Sequence, residues 1–177
     1  MNALESLRSA IAASFDRRER PPDVDLIVWD GYDQLDKEQA LRFYSGKTWC
    51  DVLDHLRGLE NAKIYRGAYF LEEWSVLSPA ALAYHSRGHL EFLLETLASD
   101  EPDEEYVFHF LCQVGQLIHM YKRSPFSIGE TAMLRTIVEH IAAQCRESFA
   151  FEYFGADIEA EALKLLSEPS LQRTPRG

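Results

Sequence analysis

The chain has 177 residues, of which 46% are apolar and 27% charged, with a formal net charge of −11. That mix excludes a disordered or fibrous chain, and the length predicts one domain that can bury roughly 70% of its unfolded surface without a disulfide or metal staple. Eighteen basic residues against twenty-nine acidic ones argue against nucleic acid and anionic membranes as partners, since both reward lysine and arginine.

The first fifteen residues carry Glu5 and Arg8 and lack the basic start and apolar core of a secretory signal. No window approaches the roughly eighteen apolar residues of a membrane-spanning helix. Cys50, Cys112 and Cys145 are far apart and form no C-x-x-C pair, which excludes zinc ribbons and thioredoxin-type motifs. Each has apolar neighbours, so buried, inert thiols are expected, in a reduced, cytoplasmic protein.

In chain order, Leu4, Leu7, Ile11 and Phe15 recur at steps of three and four, one stripe of an amphipathic helix. It ends before Pro21-Pro22, which a helix does not enter easily. Leu26-Ile27-Val28-Trp29 is a strand candidate or an extended segment laid across a helical core. Asp36 and Gln39 suggest a capping box for a helix to about Tyr44. Thr48 can cap the next helix, with stripe Trp49, Val52, Leu53, Leu56 and Leu59. Ser78-Pro79 is a strong helix start, flanked by Leu77 and Leu82 as a hydrophobic staple. Within that helix Gly88 predicts a weak point or kink.

Asp103 can cap a helix through Tyr121, where Val107, Phe110, Leu111, Val114, Leu117 and Ile118 form a stripe widened by Phe108 and Cys112; this is the expected central helix. Ser127 and Glu130 form a further capping box, ahead of Leu134, Ile137, Val138, Ile141 and Ala142. Phe149, Phe151 and Tyr153 alternate, as an extended stretch would, and a last helix is expected over 157–166. The sum is an all-α single-domain bundle of six or seven helices over 1–168, with at most two short extended segments and a frayed tail over 169–177.

The chemistry-bearing motifs are sparse. His85 and His89 stand one helical turn apart, a spacing that can grip a metal, but Ser86 replaces the glutamate of a zincin and no third ligand is in view. A surface or half-buried pair is the ordinary reading. Neither a bound metal nor a cofactor is expected. Ser45-Gly46-Lys47-Thr48 contains the tail of a phosphate loop without its upstream glycine or a leading strand, so a turn and helix cap is expected there. No nucleophile elbow is present, and no catalytic residues are assigned. The acidic residues stand out: Asp100, Glu101, Asp103, Glu104 and Glu105 are interrupted only by Pro102. Such a run is either a solvated loop or a docking surface that speeds encounter with a basic partner.

Phe43-x-x-Gly46-Lys47-x-Trp49, then Leu77-Ser78-Pro79-x-Ala81-x-x-Tyr84, Leu90 to Leu97, and Phe126 with a helix pair, resemble an uncharacterised family of small acidic bacterial proteins, similar in character to immunity proteins. The likeness spans about residues 4–166, and the family implies no assigned activity. Tyr84-His85-Ser86-Arg87 departs from the more apolar, proline-containing stretch of that pattern. The expectation is a non-enzymatic protein-binding protein, in its most specific form an immunity protein neutralising a basic toxin domain through Asp100, Glu101, Asp103, Glu104 and Glu105. The rival is a metal-dependent enzyme or small-ligand-binding domain using His85 and His89. A third reading is a homodimer that buries surplus aromatics such as Trp74 or Tyr69.

Overall fold

The described residues of the computed structural model are 3–15, 17–28, 34–59, 72–120, 125–145 and 160, and among them are six α-helices and no β-sheet. The helices are α1 (Ala3–Phe15), α2 (Gln34–Tyr44), α3 (Trp49–Gly58), α4 (Pro79–Leu97), α5 (Glu104–Met120) and α6 (Ile128–Cys145). Short 3-10 turns lie at Asp23–Asp25 and Glu72–Val76. The architecture is all-α. The expected alternation at 149–153, the last helix over 157–166 and the tail over 169–177 lie outside the described residues.

Helix starts are set by neighbours in sequence, and several form as the sequence predicts. Thr48 Oγ1 accepts from the Asp51 N–H at 3.2 Å, while the Asp51 carboxylate accepts from the Thr48 N–H at 2.7 Å. Ser78 Oγ accepts from the Ala81 N–H at 3.2 Å, with Pro79 in the first helical position. Leu77 and Leu82 flank that start, both fully buried. At α6, Ser127 and Glu130 cap each other reciprocally, at 2.6 and 3.2 Å. The start of α2 differs: the helix begins at Gln34, which leaves Asp36 in the first turn. There a carboxylate favours the helix dipole without acting as the cap.

The predicted strand over Leu26 to Trp29 is a single bridged residue and no strand of a sheet: Leu26 closes the preceding 3-10 turn at φ −73° and ψ −35°, and Trp29 lies outside the described residues. Ile27 and Leu77 form one isolated antiparallel bridge, with the Val28 N–H on the Val76 carbonyl and the Ser78 N–H on the Leu26 carbonyl, each at 2.8 Å. This strap ties the chain after α1 to the entrance of α4.

The central helix is α4, which corrects the expectation for α5: fifteen of the nineteen residues of α4 are buried. The α5 stripe is buried at Val107, Phe110, Leu111 and Val114, but its flanking Phe108 and Cys112 are only half-buried. Small residues explain the difference. Ala81, Ala83, Ser86 and Gly88 on α4 allow neighbours to approach from several sides, and α1 and α3 both pack on it. Gly88 is no kink: the helix runs through it unbroken, and α3 crosses so closely that a Cβ there would lie 2.5 Å from the Trp49 carbonyl oxygen. α1 also packs against α6, where the Arg18 guanidinium holds the buried Glu130 carboxylate at 2.5 and 2.9 Å.

The cysteines need one correction. Cys50 is exposed, because it lies one position off the α3 stripe of Val52, Leu53 and Leu56, and Cys112 is half-buried. Partial burial holds both thiols above their ordinary pKa, so they stay protonated. The Cys145 side chain lies outside the described residues.

Candidate functional site

The chemistry of this chain concentrates where α2, the Glu72–Val76 turn, α4 and α5 meet. His85 and His89 face this junction from α4, and both have 0% relative exposure. The expected surface or half-buried pair is therefore a core pair. Burial follows from α4 itself, fifteen of whose nineteen residues are buried, His85 and His89 among them.

His89 is fully partnered. Its Nε2 lies 2.9 Å from the Tyr44 hydroxyl at the end of α2, and its Nδ1 lies 2.9 Å from the Tyr106 hydroxyl near the start of α5. The Tyr106 hydroxyl also donates to the His89 carbonyl at 3.4 Å. One assignment then uses each hydrogen once: Nδ1–H donates to Tyr106, and Nε2 accepts from Tyr44. Trp74 packs edge-on to the His89 ring at 5.1 Å and to Phe110 at 6.1 Å. Burial, reinforced by neighbouring His85, pushes the His89 pKa down to about 3, so the ring is neutral.

His85 is different. Its ring lies 4.8 Å from that of Tyr44 and 4.9 Å from that of Tyr84, yet both ring nitrogens are buried with no hydrogen-bond partner among the described residues. Burial first, then the Arg20 and Lys47 cations, push its pKa down to about 4, with Asp23 opposing.

The arrangement is a polar clasp among three helices. Both nitrogens of His89 are occupied by tyrosine hydroxyls, so a metal there would have to displace one of them. Among the described residues no three histidine, cysteine, aspartate or glutamate side chains are grouped to hold a metal ion. Ser45 to Thr48 forms a turn and cap: Gly46 has φ 72°, and the Asp23 carboxylate accepts from Ser45 Oγ at 2.8 Å and the Gly46 N–H at 3.2 Å. Trp74 is fully buried in its own chain, which removes it as a surplus aromatic for a dimer; Tyr69 lies outside the described residues.

The acidic segment divides. Asp103 is 8% exposed and belongs to the fold: its carboxylate accepts from the Tyr106 N–H, and its own N–H donates to Thr96 Oγ1, each at 3.1 Å. Asp100, Glu101 and Glu104 are exposed, and half-buried Glu105 lies 4.0 Å from His109 Nε2. Ser99 Oγ further accepts from the Glu101 N–H at 3.2 Å. Tyr44, Tyr106 and Trp74 were not marked by the sequence as parts of a site. Their signal is a polar tip on an aromatic within an otherwise apolar stripe, which must find a partner once buried.

No family model matches the chain, and no curated protein or solved structure matches it either.

Proposed function

We propose that this chain is a non-enzymatic protein-binding protein, and that its partner is a basic protein surface such as a toxin domain that it neutralises as an immunity protein. The observation that carries the reading is the connection between α4 and α5. The Thr96, Ser99 and Asp103 side chains accept hydrogen bonds from backbone N–H groups and hold it, while Asp100, Glu101 and Glu104 are exposed. Charge on a held turn meets a partner with less ordering cost than charge on a loose loop. The two core histidines support the same reading, since neither reaches solvent to meet a substrate.

The experiment pairs this chain with the product of a toxin-like gene adjacent to its own. Co-expression should relieve growth arrest. Replacing Asp100, Glu101 and Glu104 with their amides should lower the association rate by roughly one power of ten and leave dissociation almost unchanged, because steering acts on the encounter. Raising the salt to about 0.15 M, where the Debye length is ~8 Å, should slow the wild type towards the variant. Rates that ignore both salt and the substitutions would move the docking face elsewhere, and absence of binding would end the immunity reading.

A further inference from the structure

The two histidines of α4 are a controlled comparison within one helix. Both are completely buried, and they stand one turn apart. The fold completes His89 with two tyrosine hydroxyls at 2.9 Å and gives His85 none among the described residues. A neutral imidazole carries one N–H donor and one bare acceptor, and buried polar atoms in native proteins are almost always paired with protein or with ordered water.

The groups around His85 have other commitments. The Tyr44 hydroxyl is engaged by His89, and Ser86 Oγ donates to the Leu82 carbonyl at 2.5 Å. Arg20, whose field reaches His85, spends its Nε on the Lys47 carbonyl at 2.9 Å and its Nη2 on Asp23. Asp23 in turn holds Ser45 and Gly46. The missing partner must therefore come from outside this set. It must be small, since the ring is completely buried and two aromatic rings already lie 4.8 and 4.9 Å from it. It must be neutral, because a full charge taken into so buried a place would forfeit its hydration.

We infer that His85 is the anchor of an internal site that binds one ordered water molecule through its buried ring nitrogens, beside the Tyr44 and Tyr84 rings. Water supplies both donor and acceptor at the required size, and buried waters typically make about three hydrogen bonds to such otherwise unpaired groups. The site is independent of the acidic face and stands whether or not that face docks a partner.

Two measurements on the full chain test this. A high-resolution crystal structure should show a water at hydrogen-bond distance, roughly 2.7–3.2 Å, from a His85 ring nitrogen. An atom of the chain in that place, or a ring nitrogen facing only carbon, overturns the assignment. In solution, oxygen-17 water relaxation dispersion counts long-lived internal waters. His85→Phe, which keeps a ring and removes both nitrogens, should lose one such water, and an unchanged count in a folded variant overturns the inference. If His85→Phe does not fold, the wild-type crystal structure decides by itself.

Discussion

At Gly88 the surface of α4 has no room for a side chain. A Cβ there would stand 2.5 Å from the Trp49 carbonyl oxygen and 3.3 Å from both Leu53 N and Val52 Cγ1. The closest obstacle is backbone, so relief requires α3 to move away as a unit. Alanine would gain ~1 kcal/mol of helix propensity, while overpacking costs about 1–3 kcal/mol and more where backbone must shift. Gly88→Ala should therefore lower the melting temperature. Gly58→Ala, at a position with nothing within 4 Å of the added carbon, is the control and should be neutral or slightly stabilising. A Gly88 variant as stable as the wild type would mean that the helices do not touch at that carbonyl. The Arg87 guanidinium, 3.8 Å from the centre of the Trp49 ring, locks the same crossing from the adjacent position. None of this was legible in the sequence, where a helix-interior glycine reads only as a flexible joint. Its role depends on which helix crosses it, and that is tertiary information. The burial of His85 and His89 was hidden for the same reason.

At the scale of the element, start signals carried over from sequence to structure because a cap is a contact across three residues. The Thr48 cap, Ser78 with Pro79, and Ser127 with Glu130 all formed where the residue pattern placed them, and Asp51 adds the return half of the Thr48 box. The α2 start lies earlier than predicted, with Asp36 inside the first turn and not at the cap, a place where the helix dipole also favours a carboxylate. Asp103 shows how a cap doubles as a brace. It holds the first turn of α5 through the Tyr106 N–H and the end of α4 through Thr96, and Tyr106 in turn reaches His89. Asp103→Ala should cost roughly 1 kcal/mol for the lost cap, read as a shifted urea midpoint. Its effect should also appear at a distance, as a changed imidazole signal for His89 in nitrogen-15 spectra. Asp103→Asn keeps an acceptor and should restore most of the stability. If the alanine variant leaves both midpoint and imidazole unchanged, the brace carries nothing.

For the whole molecule, the two core histidines make stability depend on acid in a direction the net charge alone would not predict. A free imidazole titrates near 6.5, whereas burial lowers His85 to about 4 and His89 to about 3 in the folded chain. The unfolded chain therefore takes up protons first as the pH falls. Stability declines from about pH 6.5 downward and stops declining on this account only below the folded values. Every tenfold loss of proton affinity on folding is worth roughly 1.4 kcal/mol, so the pair can remove several kcal/mol from a total of about 5–15. Glu91 works in the opposite sense. Burial, opposed by Arg8 and Arg87, raises its carboxyl above 4.5, so its contribution worsens as the pH rises through that range. Exposed Asp23 and Asp51 are lowered below 3.8 by hydrogen bonds from Ser45 and Thr48, so their support fades only as the pH falls below about 3.8. Between pH 6.5 and 4 the histidines dominate, because their displacement is the larger and both act together. Urea midpoints should therefore fall steadily across that interval, with Glu91 offsetting part of the fall. His85→Phe should make the slope shallower even if it lowers the midpoint at neutral pH, since one of the two protons taken up on unfolding is gone. A midpoint that stays flat from pH 6.5 to 4 would require histidines in contact with water, and with them an α4 that is not the centre of this fold.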